Sequence, residues 1–308
     1  MNSGIVIKTT GSWHTVKDGD TIMQCKIRGK FREKDLRITN PIAVGDAVHY
    51  EFDQDKTAVI TVIEPRKNYI IRRASNLSKE AQILAANIDQ AFLMISLMMP
   101  ETPLEFVDRF LLTAEAYHVP VAIVINKTDL LNEDQLPLLN TIKKTYNSAG
   151  YNCFDISVIQ QEGIDPLFRM MHAKTNLLAG NSGVGKSSLI NLICPDTHLK
   201  IEEISSSHKT GKHATTYAEM ISLPGGGYII DTPGIRGFGI INIEKNEIGL
   251  YFTDIFRLSQ NCVYYNCTHV HEPGCAVRIA IENGGLARSR YRSYLNIFSD
   301  QHQKYRTG

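Results

Sequence analysis

The 308-residue sequence has almost no net charge. Its 33 Lys and Arg against 32 Asp and Glu leave +1 with histidine neutral. A global electrostatic field is thereby excluded as a source of nucleic-acid affinity, which would have to come from local patches. Long apolar runs are also missing. The most apolar stretch, AFLMISLMM from Ala91 to Met99, is far too short to span a bilayer and reads as a buried strand, so no membrane partner is expected. The opening MNSGIVIKTTG lacks the apolar core of a secretion signal. Cysteine is sparse and unevenly placed. Cys262, Cys267 and Cys275 crowd together while Cys25, Cys153 and Cys194 are scattered, which is poor arithmetic for a disulfide framework. A reducing, cytoplasmic setting is expected. Internal repeats and low-complexity tracts are absent, and 43% apolar with 21% charged residues is ordinary for a chain that buries sizeable cores.

The length asks for two or three domains, and three textures divide the chain. Residues 1–68 alternate short β-like runs (GIVIKTT, TIMQCKI, DAVHYEF, TAVITVIE) with Gly-Asp, Asp-Gly and Asn-Pro turns, which predicts a small β-barrel. Residues 69–240 alternate strands and helices. After Ala91–Met99, Thr102 to Glu105 spells a capping box with Pro103 at the first helical position. VPVAIVI is the next strand, a helix is expected from about Glu133 to a stop at Gly150, and YNCFDI, TNLLAG and GYIIDTPG are further strands. Such alternation implies a parallel α/β sheet with helices on both faces. Residues 241–308 turn to helix and loop around the cysteine cluster.

GNSGVGKS, from Gly180, matches the phosphate-loop spacing and lies between the apolar run TNLLA and a helix start, SLINLI. Gly180, Asn181, Ser182, Gly183, Val184, Gly185, Lys186, Ser187 and Ser188 are therefore candidate phosphate contacts, with backbone N–H groups converging at a helix N-terminus. Lys186 is expected to reach the β- and γ-phosphates, and the Ser187 hydroxyl to ligate Mg²⁺. In DTPG, Asp231 can hold the Mg²⁺ shell and the Gly234 N–H can sense the γ-phosphate. Asn126, Lys127, Thr128 and Asp129 complete the set. A carboxylate at Asp129 accepts the N1–H and exocyclic N2–H₂ of guanine, donors that adenine lacks, so guanine is selected. Lys127 packs over the base, and Asn126 can reach N7 or brace the phosphate loop. Ser157, after YNCFDI, is placed to buttress the base. GTP or GDP with Mg²⁺ is the expected ligand.

The order along the chain is unusual, because the base-reading motif precedes the phosphate loop. Domain termini commonly lie close together, so a permuted chain can keep one fold, and this order resembles circularly permuted GTPases. A Ras-like enzyme orients the attacking water with a glutamine just after the second switch glycine; Ile235 stands there. KTGKHATTY, Lys209 to Tyr217, occupies the place of the first switch. Thr215 or Thr216 can complete the Mg²⁺ shell. His213 can orient the water, or be a solvated loop histidine.

Cys262, Cys267, His269 and Cys275 are spaced C-x₄-C-x-H-x₅-C. Three thiolates and an imidazole satisfy a closed tetrahedral zinc site with no position left for a catalytic water. His271 competes as the fourth ligand. One Zn²⁺ would add folding free energy to a small C-terminal core.

Nucleic-acid contact has a local basis. CKIRGKFREKDLR gathers Lys26, Arg28, Lys30, Arg32, Lys34 and Arg37 around Phe31, interrupted by Glu33 and Asp35. On a small barrel this is either an RNA-binding surface or a solvated hairpin. LARSRYRSY, with Arg288, Arg290, Tyr291, Arg292 and Tyr294, is a second contact or a helix surface.

Together, CKIRGKFR, Val44-Gly45-Asp46, the RRAS stretch at Arg72 to Ser75 and the cysteine cluster resemble the RsgA family of small ribosomal subunit biogenesis GTPases, over nearly the whole chain. The resemblance implies an N-terminal OB-fold, a permuted GTPase and a C-terminal zinc domain. It also implies GTP hydrolysis that is slow alone and faster on the small subunit, with a role late in that subunit's maturation; the subunit and its rRNA are the expected partners, and a monomer is expected. The family's G-R/K-H-T-T element further implies that His213 takes part in hydrolysis. Ala214 departs from that element, leaving Thr215 preferred over Thr216 for Mg²⁺. Two other readings stay open: a GTP-sensing RNA-binding module, and a permuted GTPase with a protein signalling partner.

Overall fold

A computed structural model describes residues 2–27, 41–73, 81–199, 218–232 and 243–300. His213, Thr215, Thr216 and Gly234 lie outside these ranges, as does most of the basic stretch after Lys26.

Five strands close a barrel: β1 (Asn2–Thr10), β2 (Trp13–Asp18), β3 (Thr21–Ile27), β4 (Ala47–Phe52) and β5 (Ala58–Ile63). Their order is β1-β2-β3-β5-β4, with β4 returning to β1 and β3 parallel to β5, the arrangement of an OB-fold. Inward positions supply the core of Val6, Val16, Cys25, Val48, Tyr50 and Ile60. The periodicity reading passes over β2, because WHTVKD alternates with a histidine as one of its two buried residues. A hairpin of β6 (Tyr69–Arg73) and β7 (Ala81–Ala86), also unforeseen, holds Arg72 and Arg73 of the RRAS stretch and meets the barrel through a Val44–Ala85 bridge.

The central sheet contains β8 (Gln90–Ser96), β9 (Val121–Asn126), β10 (Asn152–Asp155), β11 (Thr175–Ala179), β12 (Glu219–Ser222) and β13 (Tyr228–Asp231). Its order is β10-β9-β8-β11-β13-β12, parallel throughout except for the antiparallel pairing of β12 with β13. The strand feeding the phosphate loop, β11, is inserted between β8 and β13. Strands before it in the chain therefore lie on one side and strands after it on the other, which is the geometry of a permuted GTPase sheet. Helices α1 (Leu104–Ala116) and α2 (Leu136–Ser148) pack one face through Val107, Phe110, Leu139 and Ile142. Helices α3 (Ile164–Met171) and α4 (Lys186–Ile193) pack the other through Leu167, Met171, Leu189 and Ile190. Sandwiched between them, every residue of β8 is buried, as a continuous apolar run in a parallel sheet requires.

The expected capping box at Thr102 does not form. Pro103 is the cap, without a side-chain hydrogen bond, and the Thr102 hydroxyl accepts the Ser96 N–H at 3.1 Å. Glu105 turns instead to Arg109, at 2.8 Å, and to Asn296, at 2.9 Å. Barrel and central sheet are continuous, since Lys8 of β1 pairs with Glu219 of β12 and their side chains form an ion pair at 3.1 Å.

The C-terminal part has a 3₁₀ turn at Lys245–Tyr251 and helices α5 (Thr253–Ser259), α6 (Ala276–Glu282) and α7 (Arg288–Asp300). Its core of Ile248, Phe252, Ile255, Val277, Tyr294 and Ile297 includes Leu112 from α1. Here two sequence expectations are corrected. Arg290 and Tyr294 are neither a helix surface nor an RNA contact, being 1% and 2% exposed. Arg290 sits between Asp108 of α1 and Asp254 of α5, and a cation so buried needs such partners. Among the described residues no helix is long and apolar enough to cross a membrane.

Candidate functional site

The phosphate loop runs from the end of β11 to the start of α4. Gly180, Gly183 and Gly185 take φ of +149°, +80° and +103°. At Gly185 glycine is also required by space, because a Cβ there would come within 2.4 Å of Asn126 Nδ2. The loop thus lies directly over the ends of β8 and β9. Asn126, buried at the end of β9, donates from Nδ2 to the Val184 carbonyl at 2.8 Å and accepts the Val158 N–H at 3.2 Å. One amide side chain therefore ties the Asn126–Asp129 motif to the glycine-rich loop and to the segment after β10. Lys186 is buried, its Nζ donating to the carbonyls of Gly180 (2.8 Å) and Asn181 (2.9 Å). Ser187 and Ser188 follow in the first turn of α4, both half-buried.

Asp231 ends β13, in register with Leu178 of β11. Its Oδ1 is buried without a protein hydrogen-bond partner. Burial pushes its carboxyl up to about 6, against the pull of Lys186. A cation-held water beside it would supply the partner and favour the ionised form, so the site fits Mg²⁺. Next to it, the Thr232 hydroxyl donates to the Leu178 carbonyl at 2.9 Å and fixes the chain leaving the sheet.

On the base side, Lys127 adopts a left-handed φ of +66° and donates from Nζ to the Met99 carbonyl. Thr128 donates from both its backbone N–H and its hydroxyl to the Ile156 carbonyl, at 3.2 and 3.0 Å. Ser157, fully buried, donates its hydroxyl to Asp129 Oδ1 at 2.5 Å and accepts the Gln160 N–H at 3.1 Å. Thus Ser157 fixes the direction of the Asp129 carboxylate. Asp129→Ala is expected to weaken GTP binding by roughly 10- to 100-fold, since hydrogen bonds to a charged group contribute about 1.5–3 kcal/mol. Inosine triphosphate lacks the N2 amino group and should lose less; equal losses for the two nucleotides in a titration would refute this role for Asp129.

Sulfur and nitrogen atoms of Cys262, Cys267, His269 and Cys275 all lie within 4.8 Å of one another. Cys262 Sγ and Cys275 Sγ are 4.0 Å apart, and His269 Nδ1 is 3.7 and 3.6 Å from them. Zinc–ligand bond lengths in a tetrahedron predict edges of about 3.8 Å between sulfurs and about 3.6 Å from sulfur to nitrogen. The cluster fits that metal. His271 is exposed and lies outside it. Burial pushes the Cys267 thiol up to about 12 and raises that of Cys275, so holding thiolates there requires a cation among them.

Three supporting residues escape a reading of the sequence. Glu272 accepts the N–H groups of Thr268 (2.8 Å), Val270 (3.2 Å) and His271 (3.2 Å). Burial opposes its ionisation, but bonds from Thr268 and the backbone hold its carboxyl down at about 2. Its position three residues past His269 is the one local hint. The hydroxyls of Tyr291 and Tyr294 donate to the His269 and Thr268 carbonyls, both at 2.7 Å, and nothing local signals either contact.

Comparison with known proteins is consistent across the chain. Residues 63–241 match the family described as RsgA GTPase, and residues 3–60 the RsgA N-terminal domain. The small ribosomal subunit biogenesis GTPase RsgA of Phocaeicola vulgatus is 54% identical over 98% of both chains, and RsgA 2 of Bacteroides thetaiotaomicron is 53% identical over 98% of both. Among solved structures, YjeQ from Thermotoga maritima aligns with a TM-score of 0.77 at 35% identity, covering 97% of this chain and 98% of that one. YloQ, titled a circularly permuted GTPase, aligns with a TM-score of 0.74 at 30% identity, covering 100% and 97%.

Proposed function

Because this chain belongs to the RsgA family of GTPases, we propose that it hydrolyses GTP on the small ribosomal subunit and assists late maturation of that particle. The observation that carries the reading is the Asn126 amide, whose bond to the Val184 carbonyl joins the Asn126–Asp129 motif to the glycine-rich loop, in a chain that matches 98% of the length of such a GTPase. Asp129, held by Ser157, selects guanine, and Lys127 and Thr128 shape the base pocket. Backbone N–H groups of residues 180–188 cradle the phosphates, while Lys186 offsets charge developing on the β- and γ-oxygens. Ser187 and Thr215 would ligate Mg²⁺, with Asp231 holding its shell and the Gly234 N–H sensing the γ-phosphate. That ion, when bound, neutralises phosphate charge. His213 orients the attacking water where Ile235 cannot.

A single Zn²⁺ at Cys262, Cys267, His269 and Cys275 would be structural, since four protein ligands leave no open position. The division into 1–68, 69–240 and 241–308 assigns rRNA binding to the barrel and its basic stretch, nucleotide chemistry to the centre and metal binding to the end. The protein acts as a cytoplasmic monomer.

GTP turnover with and without purified small subunits tests the reading. Slow free turnover that the subunit accelerates is expected; fast free turnover with no acceleration would sink it. His213→Ala should lower the stimulated rate and spare nucleotide affinity. If a non-hydrolysable analogue supported both docking and release, hydrolysis would be incidental and the protein a GTP-sensing binding module.

A further inference from the structure

The β12–β13 hairpin is fastened unevenly. At its far end the turn at 223–227 is tied down through backbone. The Ala173 N–H donates to the Gly226 carbonyl at 3.1 Å, and the Tyr228 N–H to that of Lys174 at 2.8 Å. Gly227 has φ +89°, and a Cβ there would come within 2.6 Å of the Lys174 backbone, so the turn lies flush against it. At the near end stands Asp231. Its own strand is held there by parallel pairing with β11 and by the Thr232 hydroxyl. The residue facing it from β12 is Glu219, the first of that strand.

Directly opposed residues of an antiparallel pair share one face, with Cβ atoms about 4.5–5.5 Å apart, and like charges placed there repel. Glu219 and Asp231 are such a pair. The Glu219 charge acts on the Asp231 carboxyl, where it opposes that of Lys186. On its outer side Glu219 is the partner of Lys8 in β1, the one register pair between those strands among the described residues. Lys8 Nζ donates to both Glu219 carboxylate oxygens at 3.1 Å. Lys8, Glu219 and Asp231 thus stand in line across three strands, a barrel cation beside two carboxylates. A second barrel lysine touches the far end instead. Lys17 Nζ reaches Ser222 Oγ at 3.3 Å and lies 5.3 Å from the Tyr228 ring centroid.

Resting on the reading that Asp231 holds the Mg²⁺ shell of bound GTP, we infer that Lys8 is a positioning residue of the nucleotide site, supplied by the barrel. By neutralising Glu219 it keeps the start of β12 in register opposite Asp231. Without that cation the two carboxylates repel, Glu219 turns out to solvent, and the first residue of β12 parts from β13. Asp231 then lacks the neighbouring strand that steadies it on that side. Lys8 and Glu219 are 42% and 41% exposed, so the effect is modest and screened by salt. If Lys8 merely helped to dock the barrel, Lys17 would count as much.

The test uses the full-length protein. Hydrogen exchange is measured without nucleotide at the amides of residues 219–222 and across the barrel, and GTP turnover is titrated with Mg²⁺. Lys8→Met is expected to speed exchange at 219–222 by about two- to fivefold and to raise the Mg²⁺ midpoint by a similar factor. Barrel protection, and GDP affinity in the absence of Mg²⁺, should stay as in wild type. Both changes should shrink between about 50 and about 500 mM salt. Lys8→Arg, Lys17→Met and the double variant Lys8→Met/Glu219→Gln should match wild type, the last because no charge then faces Asp231. Wild-type exchange and midpoint in Lys8→Met, equal changes in Lys17→Met, or no rescue by Glu219→Gln would each overturn the inference and leave the GTPase reading intact. Wild-type protein that turns over no GTP, or does so without Mg²⁺, would overturn that reading and the inference with it.

Discussion

Cys275→Ser is expected to abolish stoichiometric zinc binding and to unfold residues 243–300 while the nucleotide site survives. Cys275 is 3% exposed and belongs both to the metal cluster and to the apolar core beneath it. Among the described residues that core is small, with ten buried residues, one of them borrowed from α1. Apparent binding free energies for structural zinc are about 10–16 kcal/mol at neutral pH, comparable with the whole stability of a typical domain. With a hydroxyl in place of one thiolate, the remaining ligands face burial without full compensation. Chelation of the wild-type protein should give the same result. So should acidification, because protons compete for the thiolates and the imidazole. Zinc analysis, far-UV circular dichroism and limited proteolysis, read beside GTP affinity, would check this. Retained helicity and protease resistance in Cys275→Ser would show that the apolar core suffices without the metal.

Arg290→Met is expected to destabilise the protein by about 3–5 kcal/mol, the cost of breaking a buried ion pair by removing one partner. The guanidinium grips Asp254 through two bonds of 2.9 Å and donates to Asp108 at 2.6 Å. It also lies 4.7 Å from the Phe252 ring centroid and 5.7 Å from that of Tyr146. Tyr146 donates to the same Asp108 oxygen at 3.0 Å. Burial raises the Asp108 carboxyl while Arg290 pulls it down. Methionine would keep much of the volume yet strand two carboxylates in an apolar interface. Adding Asp108→Leu and Asp254→Leu should recover most of the loss, since buried ionic clusters can be exchanged for apolar ones at little cost. Denaturation midpoints of the single and triple variants decide the matter. A single-variant loss below about 1 kcal/mol would mean that water reaches the site and the carboxylates are not stranded.

This network also fixes where the C-terminal part sits against the central sheet. In chain order the second switch leads into the C-terminal part, but in space that part is clamped to α1 and to the end of α2. Arg257 donates to the Ser148 carbonyl and Thr253 to that of Ala149. Those helices belong to the side of the sheet that carries Asn126 and Asp129, and Lys127 bonds the Met99 carbonyl just ahead of α1. The barrel, in contrast, meets β12 through Lys8 and Glu219, between the two switch segments.

What could be read without a structure was whatever depends on short covalent spacing. The expected phosphate loop has Lys186 one residue past Gly185, the expected guanine reader has Asn126 and Asp129 three apart, and the cysteine–histidine cluster has its four members within a few turns of chain. Backbone geometry makes such distances nearly independent of the rest of the fold. Strand β2 is not legible in the sequence because its inward positions include a polar residue, His14, so its alternation does not look hydrophobic. The capping-box pattern at Thr102 fails for a related reason: local spacing does not encode that Glu105 bonds Asn296 of α7. Arg290 is the clearest case. Its partners lie 182 and 36 residues away, and only their convergence turns an apparent surface arginine into a cation 1% exposed. Local chemistry was written in the sequence, whereas burial is a sum over distant neighbours and was decided by the tertiary fold.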